Sequence, residues 1–142
     1  MQDQSSNMVY VVPLDCGTPE RSRIPWIDIV RANRRYFHPT GGKRWPKAPP
    51  NYLGFRYHGR LQAIHHVDSW QVTDDLHSAI EEIRPGKRDP HFVYVLGEPI
   101  VPPRRVPAGK VYPSGRVWAA LDLLLTCGTV SEARDQTQRR LR

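Results

Sequence analysis

The stretch from Asn51 to Val72, NYLGFRYHGRLQAIHHVDSWQV, constrains the fold more than any other part of this 142-residue chain. Two runs rich in β-branched and aromatic residues flank a His58-Gly59 pair, which is the turn chemistry of a β-hairpin. We predict a three-residue loop, Tyr57-His58-Gly59, because this register separates apolar from polar side chains and places Arg56 opposite Arg60. A two-residue His58-Gly59 loop would instead mix apolar and polar side chains on both faces.

The predicted register gives the hairpin two unlike faces. The apolar face carries Leu53, Phe55, Leu61, Ala63, His65 and Val67. The polar face carries Tyr52, Arg56, Arg60, Gln62, Ile64, His66, Asp68 and Trp70. Two arginines that face each other repel unless an anion lies between them, and aromatic rings offer planes on which bases stack. The polar face is therefore a candidate nucleic-acid surface, although long polar side chains are also normal on the solvated face of a sheet.

The charge of the chain favours a polyanionic partner. Its formal net charge is +7 and its pI is about 9.8. Neutralising phosphates releases condensed counterions, so a basic chain gains affinity for nucleic acid without reading its sequence. A basic composition also serves solubility alone.

Residues 37–50, FHPTGGKRWPKAPP, are predicted to form a Pro/Gly-rich basic loop, because four prolines and two glycines exclude regular structure. In this loop one aromatic residue, Trp45, is surrounded by cations. The cations are Lys43, Arg44 and Lys47. Cations that neutralise a backbone, interleaved with a stacking plane, are typical of single-strand binding. A second interpretation is that Trp45 folds back as a lid on the core.

The remaining pattern predicts one α+β domain over residues 1–142. Residues 1–8 are polar and are expected to be disordered. We predict a small antiparallel, barrel-like sheet of about five strands, with one helix near the N-terminus and two at the C-terminus. Besides the hairpin, the predicted strands are 8–14, 91–96 and 110–112, and the predicted helices are 24–36, 115–126 and 130–141. Residues 73–84 suit either a short helix or a loop.

Several classes of protein are disfavoured by what the sequence lacks. Cys16 and Cys127 form no CxxC pair, so we expect neither a cysteine zinc site nor a disulfide framework. No phosphate-binding glycine motif, nucleophile elbow or zinc-protease motif is present, and we expect no cofactor and no metal. The N-terminal residues lack a signal-peptide pattern, and no apolar run has the length of a membrane span. We therefore expect a cytoplasmic protein with no membrane partner.

The adjacent histidines His65 and His66 cannot share one ligand, because consecutive strand residues point to opposite faces. His65 is expected to be a core histidine. His66 and Asp68, two residues apart, are the pairing that orients an imidazole as a general base. This pair gives a lower-ranked alternative, a metal-independent ribonuclease or toxin-like enzyme in which Arg56 or Arg60 holds the phosphate.

Three stretches resemble the PUA-like superfamily, which includes the EVE and ASCH domains. They are NYLGFRYHGRLQAIHHV (51–67), PHFVYVLGEPI (90–100) and RVWAALDLLLTCGT (116–129). The resemblance covers about residues 45–130 and implies a small β-barrel that binds RNA or DNA, reads a modified base in a pocket or serves as a regulatory module. The G-x-K-x-x-E-x-R pattern of ASCH domains is absent, and no binding residue is carried over by position.

The first expectation for function is a non-enzymatic module that binds RNA or DNA. Its predicted contacts are Lys43, Arg44, Trp45, Lys47, Tyr52, Arg56, Arg60, Gln62 and Trp70. Besides the ribonuclease, a third possibility is an assembly subunit whose basic surface meets an acidic protein partner. The sequence does not indicate the oligomeric state.

Overall fold

The computed structural model describes residues 6–41, 45–86 and 88–141. The protein is α+β, as predicted. Its six-stranded mixed sheet has the strand order β2-β5-β4-β3-β1-β6. The strands are β1 (Met8–Pro13), β2 (Arg35–Pro39), β3 (Tyr52–Tyr57), β4 (Arg60–Thr73), β5 (His91–Ile100) and β6 (Val117–Ala120). The described helices are α1 (Trp26–Arg31), α2 (Leu76–Ala79), α3 (Leu121–Thr126) and α4 (Val130–Arg140).

Two details of the predicted sheet are wrong. The strand order ends at β2 on one side and at β6 on the other, so the sheet is not closed into a barrel. It is also not purely antiparallel, because β1 runs parallel to β3, with Val9 opposite Tyr52 and Pro13 opposite Arg56. A parallel pair needs a long connection between its strands, and residues 14–51 provide it.

Contacts within the chain define two compact units. Unit 1 comprises Met1–Leu14, Pro50–His66 and Glu98–Arg142, and unit 2 comprises Asp15–Pro49 and Val67–Gly97. Unit 1 is built on β1, which pairs with β3 on one side and antiparallel with β6 on the other. Residues of α3 and α4 join these strands in one apolar cluster, which includes Val9, Val11, Leu61, Ile64, Val106, Ala119, Leu124 and Val130.

Unit 2 has its own apolar cluster. Strand β2 pairs antiparallel with β5, with Tyr36 opposite Tyr94, and an isolated bridge joins Ser22 to Ile83. The cluster contains Ile29, Phe37, Ile80, Ile83 and Val93. Of residues 73–84, predicted as either a short helix or a loop, Leu76–Ala79 are helical, and Ile80 and Ile83 beyond them are buried.

The predicted N-terminal helix, 24–36, is too long. It ends at Arg31, and Arg34 has a positive φ of 52°. A left-handed residue cannot continue a right-handed helix, and the chain turns there into β2. Phe37–Pro39, predicted as part of the loop, therefore belong to a strand.

Three other boundaries also differ. The predicted helix 115–126 begins only at Leu121, because Val117–Ala120 add a strand to the side of β1 that would otherwise be unpaired. Strand β5 continues through Gly97 to Ile100, beyond the predicted end at residue 96. Residues 110–112 form no strand. At the N-terminus Met8 is already in β1, while residues 1–5 lie outside the described residues.

Candidate nucleic-acid interface

The hairpin closes with a two-residue loop, contrary to the prediction. Tyr57 pairs directly with Arg60, and the loop residues His58 and Gly59 have φ angles of 53° and 77°. Two positive φ angles are the signature of a type I′ turn, whose twist matches that of the flanking strands. Arg56 therefore lies opposite Leu61, and the predicted pair of facing arginines does not form.

A β-bulge keeps Phe55, Ala63 and His65 on one face, as predicted, but Leu61 and Ile64 pack in one buried cluster, so the predicted separation of an apolar from a polar face is wrong. The register shifts between Phe55 and Arg56, so that Phe55 pairs with Ala63 and one extra residue, Gln62, lies in β4. The Gln62 Nε2 donates a hydrogen bond to the Tyr57 carbonyl at 2.8 Å. A two-residue loop without a bulge would have placed Phe55 opposite Gln62 and not opposite Ala63. Sequence reasoning had no signal for this insertion.

Arg56, predicted as a phosphate contact, is buried. The residue is only 7% exposed to solvent. The Nη2 atom donates to the carbonyl oxygens of Tyr112 at 2.9 Å, Pro113 at 3.3 Å and Gly115 at 2.8 Å. Burial lowers the pKa of this guanidinium, because it disfavours the charged form. Arg56 thus anchors the turn at residues 112–115.

The anchor has an incomplete hydrogen-bond set. Among the residues that the structure describes, the Arg56 Nε is buried without a hydrogen-bond partner, and its Nη2 donates to main-chain carbonyls. Within that part of the chain, dipoles and not a carboxylate stabilise the positive charge. The turn that it holds presents Tyr112, which is 84% exposed.

Arg60 is exposed at the end of the hairpin. It forms a bridge to Pro107, the Ala108 amide donates to the Gly59 carbonyl at 3.1 Å, and the Leu61 amide donates to the Val106 carbonyl at 2.9 Å. These bonds bring the segment 105–110 beside the hairpin loop. Two further exposed cations, Arg105 and Lys110, belong to that segment. We refer to Arg60, Arg105 and Lys110 as the basic end.

The segment that carries the basic end is firmly held. Val106 is fully buried, and the Lys110 amide donates to the Ser131 Oγ at 3.0 Å. Gly109 has a φ of 72°, and a Cβ there would lie 2.3 Å from that same Oγ. Sequence reasoning missed Arg105 and Lys110. The available signal was the run PPRRVPAGK, a proline-rich basic segment like the one predicted to bind at residues 43–47.

The predicted aromatic contacts lie in different surroundings. Tyr52 is half-buried, with its ring edge-on to that of His66 at 5.3 Å. Trp45 stacks on His38 with ring centroids 4.4 Å apart and planes 2° from parallel, as the lid interpretation would have it. Trp70 is 52% exposed and meets Phe92 edge to face at 5.8 Å.

The predicted contact residues are divided between the two units. Unit 1 contains Tyr52, Arg56, Arg60, Gln62 and His66, and unit 2 contains Trp45, Lys47, Asp68 and Trp70. Lys43 and Arg44 lie outside the described residues. His65 is 3% exposed, with its ring edge-on to Phe55 at 5.7 Å, which confirms the prediction of a core histidine. His66 is exposed, and the His66–Asp68 ribonuclease remains a hypothesis.

The described part of the chain contains neither a cluster of metal-ligating side chains nor a membrane-spanning helix. Among residues 6–41, 45–86 and 88–141, no three His, Cys, Asp or Glu side chains are grouped so that they could hold a metal ion. None of the helices described above has the length and apolarity needed to cross a membrane. No protein-family model, curated protein or solved structure gives a significant match to this chain. The PUA-like resemblance therefore stays a prediction.

Proposed function

We propose that this protein is a nucleic-acid-binding module and that the basic end of unit 1 makes the principal phosphate contacts. The observation that carries the proposal is the asymmetry of charge. Unit 1 has ten Lys and Arg residues against five Asp and Glu, a formal net charge of +5, whereas unit 2 has eleven against nine, a net of +2.

Backbone rigidity supports the same proposal. The hairpin loop and the segment 105–110 are joined by hydrogen bonds to the carbonyls of Gly59 and Val106. The main chain that carries the cations of the basic end is therefore ordered before any ligand binds. A prearranged set of cations loses less entropy on binding than a flexible one. Tyr112 follows this segment in the sequence, and its side chain is exposed. Its ring is therefore a plane on which an unpaired base can stack.

The proposal revises the residues predicted from the sequence. Arg60 remains a phosphate contact and is joined by Arg105 and Lys110. Arg56 is no longer a proposed phosphate contact, because its guanidinium already donates hydrogen bonds to carbonyls of the 112–115 turn. It supports binding indirectly, by holding that turn. The PUA-like resemblance supports RNA or DNA as the ligand, with a modified base as one option, and we place the protein in the cytoplasm.

The test compares two triple variants by fluorescence anisotropy, using labelled single-stranded RNA, single-stranded DNA and duplex DNA. In the first variant Arg60, Arg105 and Lys110 are replaced by alanine. The control replaces Arg23, Arg31 and Lys47, three exposed cations of unit 2. Salt is varied from about 50 to about 200 mM, where each phosphate contact changes the slope of log affinity against log salt by roughly 0.7 to 0.9.

In the first variant we expect the slope of log affinity against log salt to fall by the amount that corresponds to about two to three phosphate contacts. In the control it should fall by less than the amount for about one contact. If this slope fell equally in the two variants, the basic end would not be the interface. Absence of binding by the wild type to all three probes at low salt would overturn the function itself. RNA cleavage abolished by His66→Ala would favour the ribonuclease.

A further inference from the structure

Unit 2 contains a cleft of about 430 Å³ that none of the predicted contacts explains. The aromatic rings of Trp26 and Phe37 line it, stacked on each other with centroids 4.7 Å apart. The polar lining includes Arg21, Arg84 and His91. A cleft of this size, with an apolar wall and a few convergent polar groups, is typical of a small-molecule site.

Arg21 is held in the cleft at a conformational cost. Its φ is 66°, a left-handed value that L-residues other than Asn and Asp rarely adopt. The backbone is fixed there because the Arg84 amide donates to the Arg21 carbonyl at 2.8 Å and Ser22 bridges to Ile83. Strained residues of this kind cluster at ligand sites, where surrounding structure over-determines them.

The Arg21 guanidinium is positioned, and in the described part of the chain no carboxylate forms an ion pair with it. It donates to the Pro85 carbonyl at 3.4 Å. It also lies against Gly86, where a Cβ would fall 2.0 Å from Nη1. A glycine at position 86 thus leaves room for the guanidinium, and the only described partner is an uncharged carbonyl. Its charge is available to an anionic ligand.

The imidazole rings of His77 and His91 line the same cleft. In each ring a hydrogen bond at Nδ1 defines the tautomer. The Nδ1 atom of His77 lies 2.8 Å from the Ile83 carbonyl, and that of His91 lies 2.7 Å from the Asp89 carbonyl. Because a carbonyl can only accept, each Nδ1 must carry the hydrogen. In the neutral form of either ring, Nε2 is then the nitrogen that can accept a hydrogen bond from a ligand.

Carboxylates in the lining narrow the class of ligand further. Asp74 is paired with Arg88 at 3.4 Å, but Glu20 and Asp75 also line the cleft. A simple anion would be repelled by them. A molecule that joins an anionic group to N–H or O–H donors would satisfy the arginines, the carboxylates and the Nε2 atoms together.

We propose that the cleft binds a nucleotide, with its phosphate on Arg21 and Arg84 and its base against Trp26. Phosphate takes charge-assisted hydrogen bonds from guanidinium groups, and bases stack on indole rings. The carboxylates accept hydrogen bonds from the amino groups of the base and the ribose hydroxyls. The ligand could be a free mononucleotide or the phosphate-bearing end of a nucleic-acid chain, since both present the same chemistry.

Calorimetric titration with a nucleoside 5′-monophosphate, the matching nucleoside and inorganic phosphate tests the ligand class. We expect the mononucleotide to bind at least about tenfold more tightly than either part alone, because only it reaches both the arginines and the aromatic wall. Equal affinity for mononucleotide and phosphate, or no binding of the mononucleotide, would overturn the proposal. Bases with an amino group should bind better than uracil.

The variant Arg21→Gly separates binding from folding. Glycine accepts a φ of 66° without strain, so the melting temperature should not fall, while mononucleotide affinity should fall at least about tenfold. Gly86→Ala, which displaces the guanidinium, should reduce affinity in the same direction. Arg31→Ala, outside the cleft, is the control and should bind normally. Unchanged affinity in Arg21→Gly would refute the site.

The source of the nucleotide is decided with oligonucleotides, in the background of the alanine variant of the basic end. Tighter binding of a 5′- or 3′-phosphorylated oligonucleotide than of its unphosphorylated form, lost in Arg21→Gly, would indicate a chain end. Binding of the free mononucleotide alone would indicate a small-molecule ligand. Neither outcome depends on whether the basic end binds nucleic acid, so the two proposals fail separately.

Discussion

Arg56 in unit 1 and His38 in unit 2 are both buried polar side chains, and they are stabilised in different ways. In unit 1 Arg56 is 7% exposed, and its Nη2 donates to carbonyls more than fifty residues further along the chain. In unit 2 His38 is 2% exposed, with Nδ1 2.8 Å from the adjacent Pro39 carbonyl and Nε2 2.6 Å from the Tyr94 hydroxyl. One group is a cation that ties distant segments together. The other is a ring whose two nitrogens both have hydrogen-bond partners.

This difference indicates which buried group is coupled to a surface. Arg56 holds the turn that presents Tyr112, so a change at Arg56 reaches the region proposed to bind nucleic acid. His38 lies beneath the stacked ring of Trp45 and among other aromatic rings of the same unit. Buried polar groups that are fully paired stabilise their neighbourhood, while partly paired ones carry a desolvation cost. Unit 1 therefore carries the larger cost.

The largest expected effect comes from Arg56→Ala, which should destabilise the protein by about 3 kcal/mol. The substitution leaves the carbonyls of the 112–115 turn without their donor and opens a cavity beneath them. Urea denaturation measures the change. Arg60→Ala, in the same hairpin but exposed, is the matched control and should stay within about 0.5 kcal/mol of the wild type.

Near-equal stabilities of Arg56→Ala and Arg60→Ala would show that Arg56 is not an anchor. Arg56→Met refines the result, because it keeps most of the volume and removes the charge. If the buried charge costs more than its hydrogen bonds return, the methionine variant should be at least as stable as the wild type.

The second prediction probes the polar centre of unit 2. Tyr94→Phe removes the hydroxyl that bonds the His38 Nε2 and should cost about 1 to 2 kcal/mol, because a hydrogen bond is lost at a buried site. His38→Phe together with Tyr94→Phe removes both partners and should cost less than the two single changes added together. Additive costs would show that the two side chains are not coupled.

How far the sequence predicts the fold depends on what each signal measures. The predicted start of the last helix at residue 130 is confirmed, because Thr129-x-x-Glu132 has the pattern of a capping box and capping is local chemistry. Val117–Ala120 form a strand although they share the helical spacing of Leu121–Leu125, because the edge of β1 offers unpaired main-chain groups. Propensity cannot include a partner strand that lies far away in the chain.

The site was predictable to the same limited extent. The burial of His65 followed from alternation along one strand. The role of Arg56 did not, since it depends on a bulge at Gln62 and on a turn more than fifty residues away. The cleft around Arg21 was missed entirely, because its lining comes from segments that only the tertiary fold brings together.

A third prediction compares the long-range anchor of unit 1 with an ordinary local contact in the same unit. The Thr129 Oγ1 accepts a hydrogen bond from the Glu132 amide at 3.1 Å and caps α4. Thr129→Ala should cost about 1 kcal/mol, the usual value of such a cap, and Thr129→Ser should restore most of it. A loss as large as that of Arg56→Ala would mean that the cap, and not the anchor, dominates unit 1.

The smallest expected effect concerns an exposed ion pair of unit 1, which contrasts with the buried cation. Arg140 donates to both carboxylate oxygens of Asp122 at 2.9 Å, and this hydrogen bond is the main cause that lowers the pKa of Asp122. A carboxyl whose pKa is lower in the folded than in the unfolded state stabilises the fold above its unfolded pKa. That contribution is lost as the pH falls through the folded pKa, on the acid side of about pH 4.

Asp122→Asn should therefore be slightly less stable than the wild type at pH 7, and the difference should shrink as the solution is acidified below about pH 4. The effect should be smaller than that of Thr129→Ala, because both partners are about half exposed and solvent screens the pair. Urea denaturation at neutral and acid pH measures it. In an Arg140→Ala background the Asp122→Asn change should have a much smaller pH-dependent effect, because only the weaker main-chain hydrogen bonds still lower the pKa of Asp122. An undiminished effect would assign the shift in pKa to the main chain.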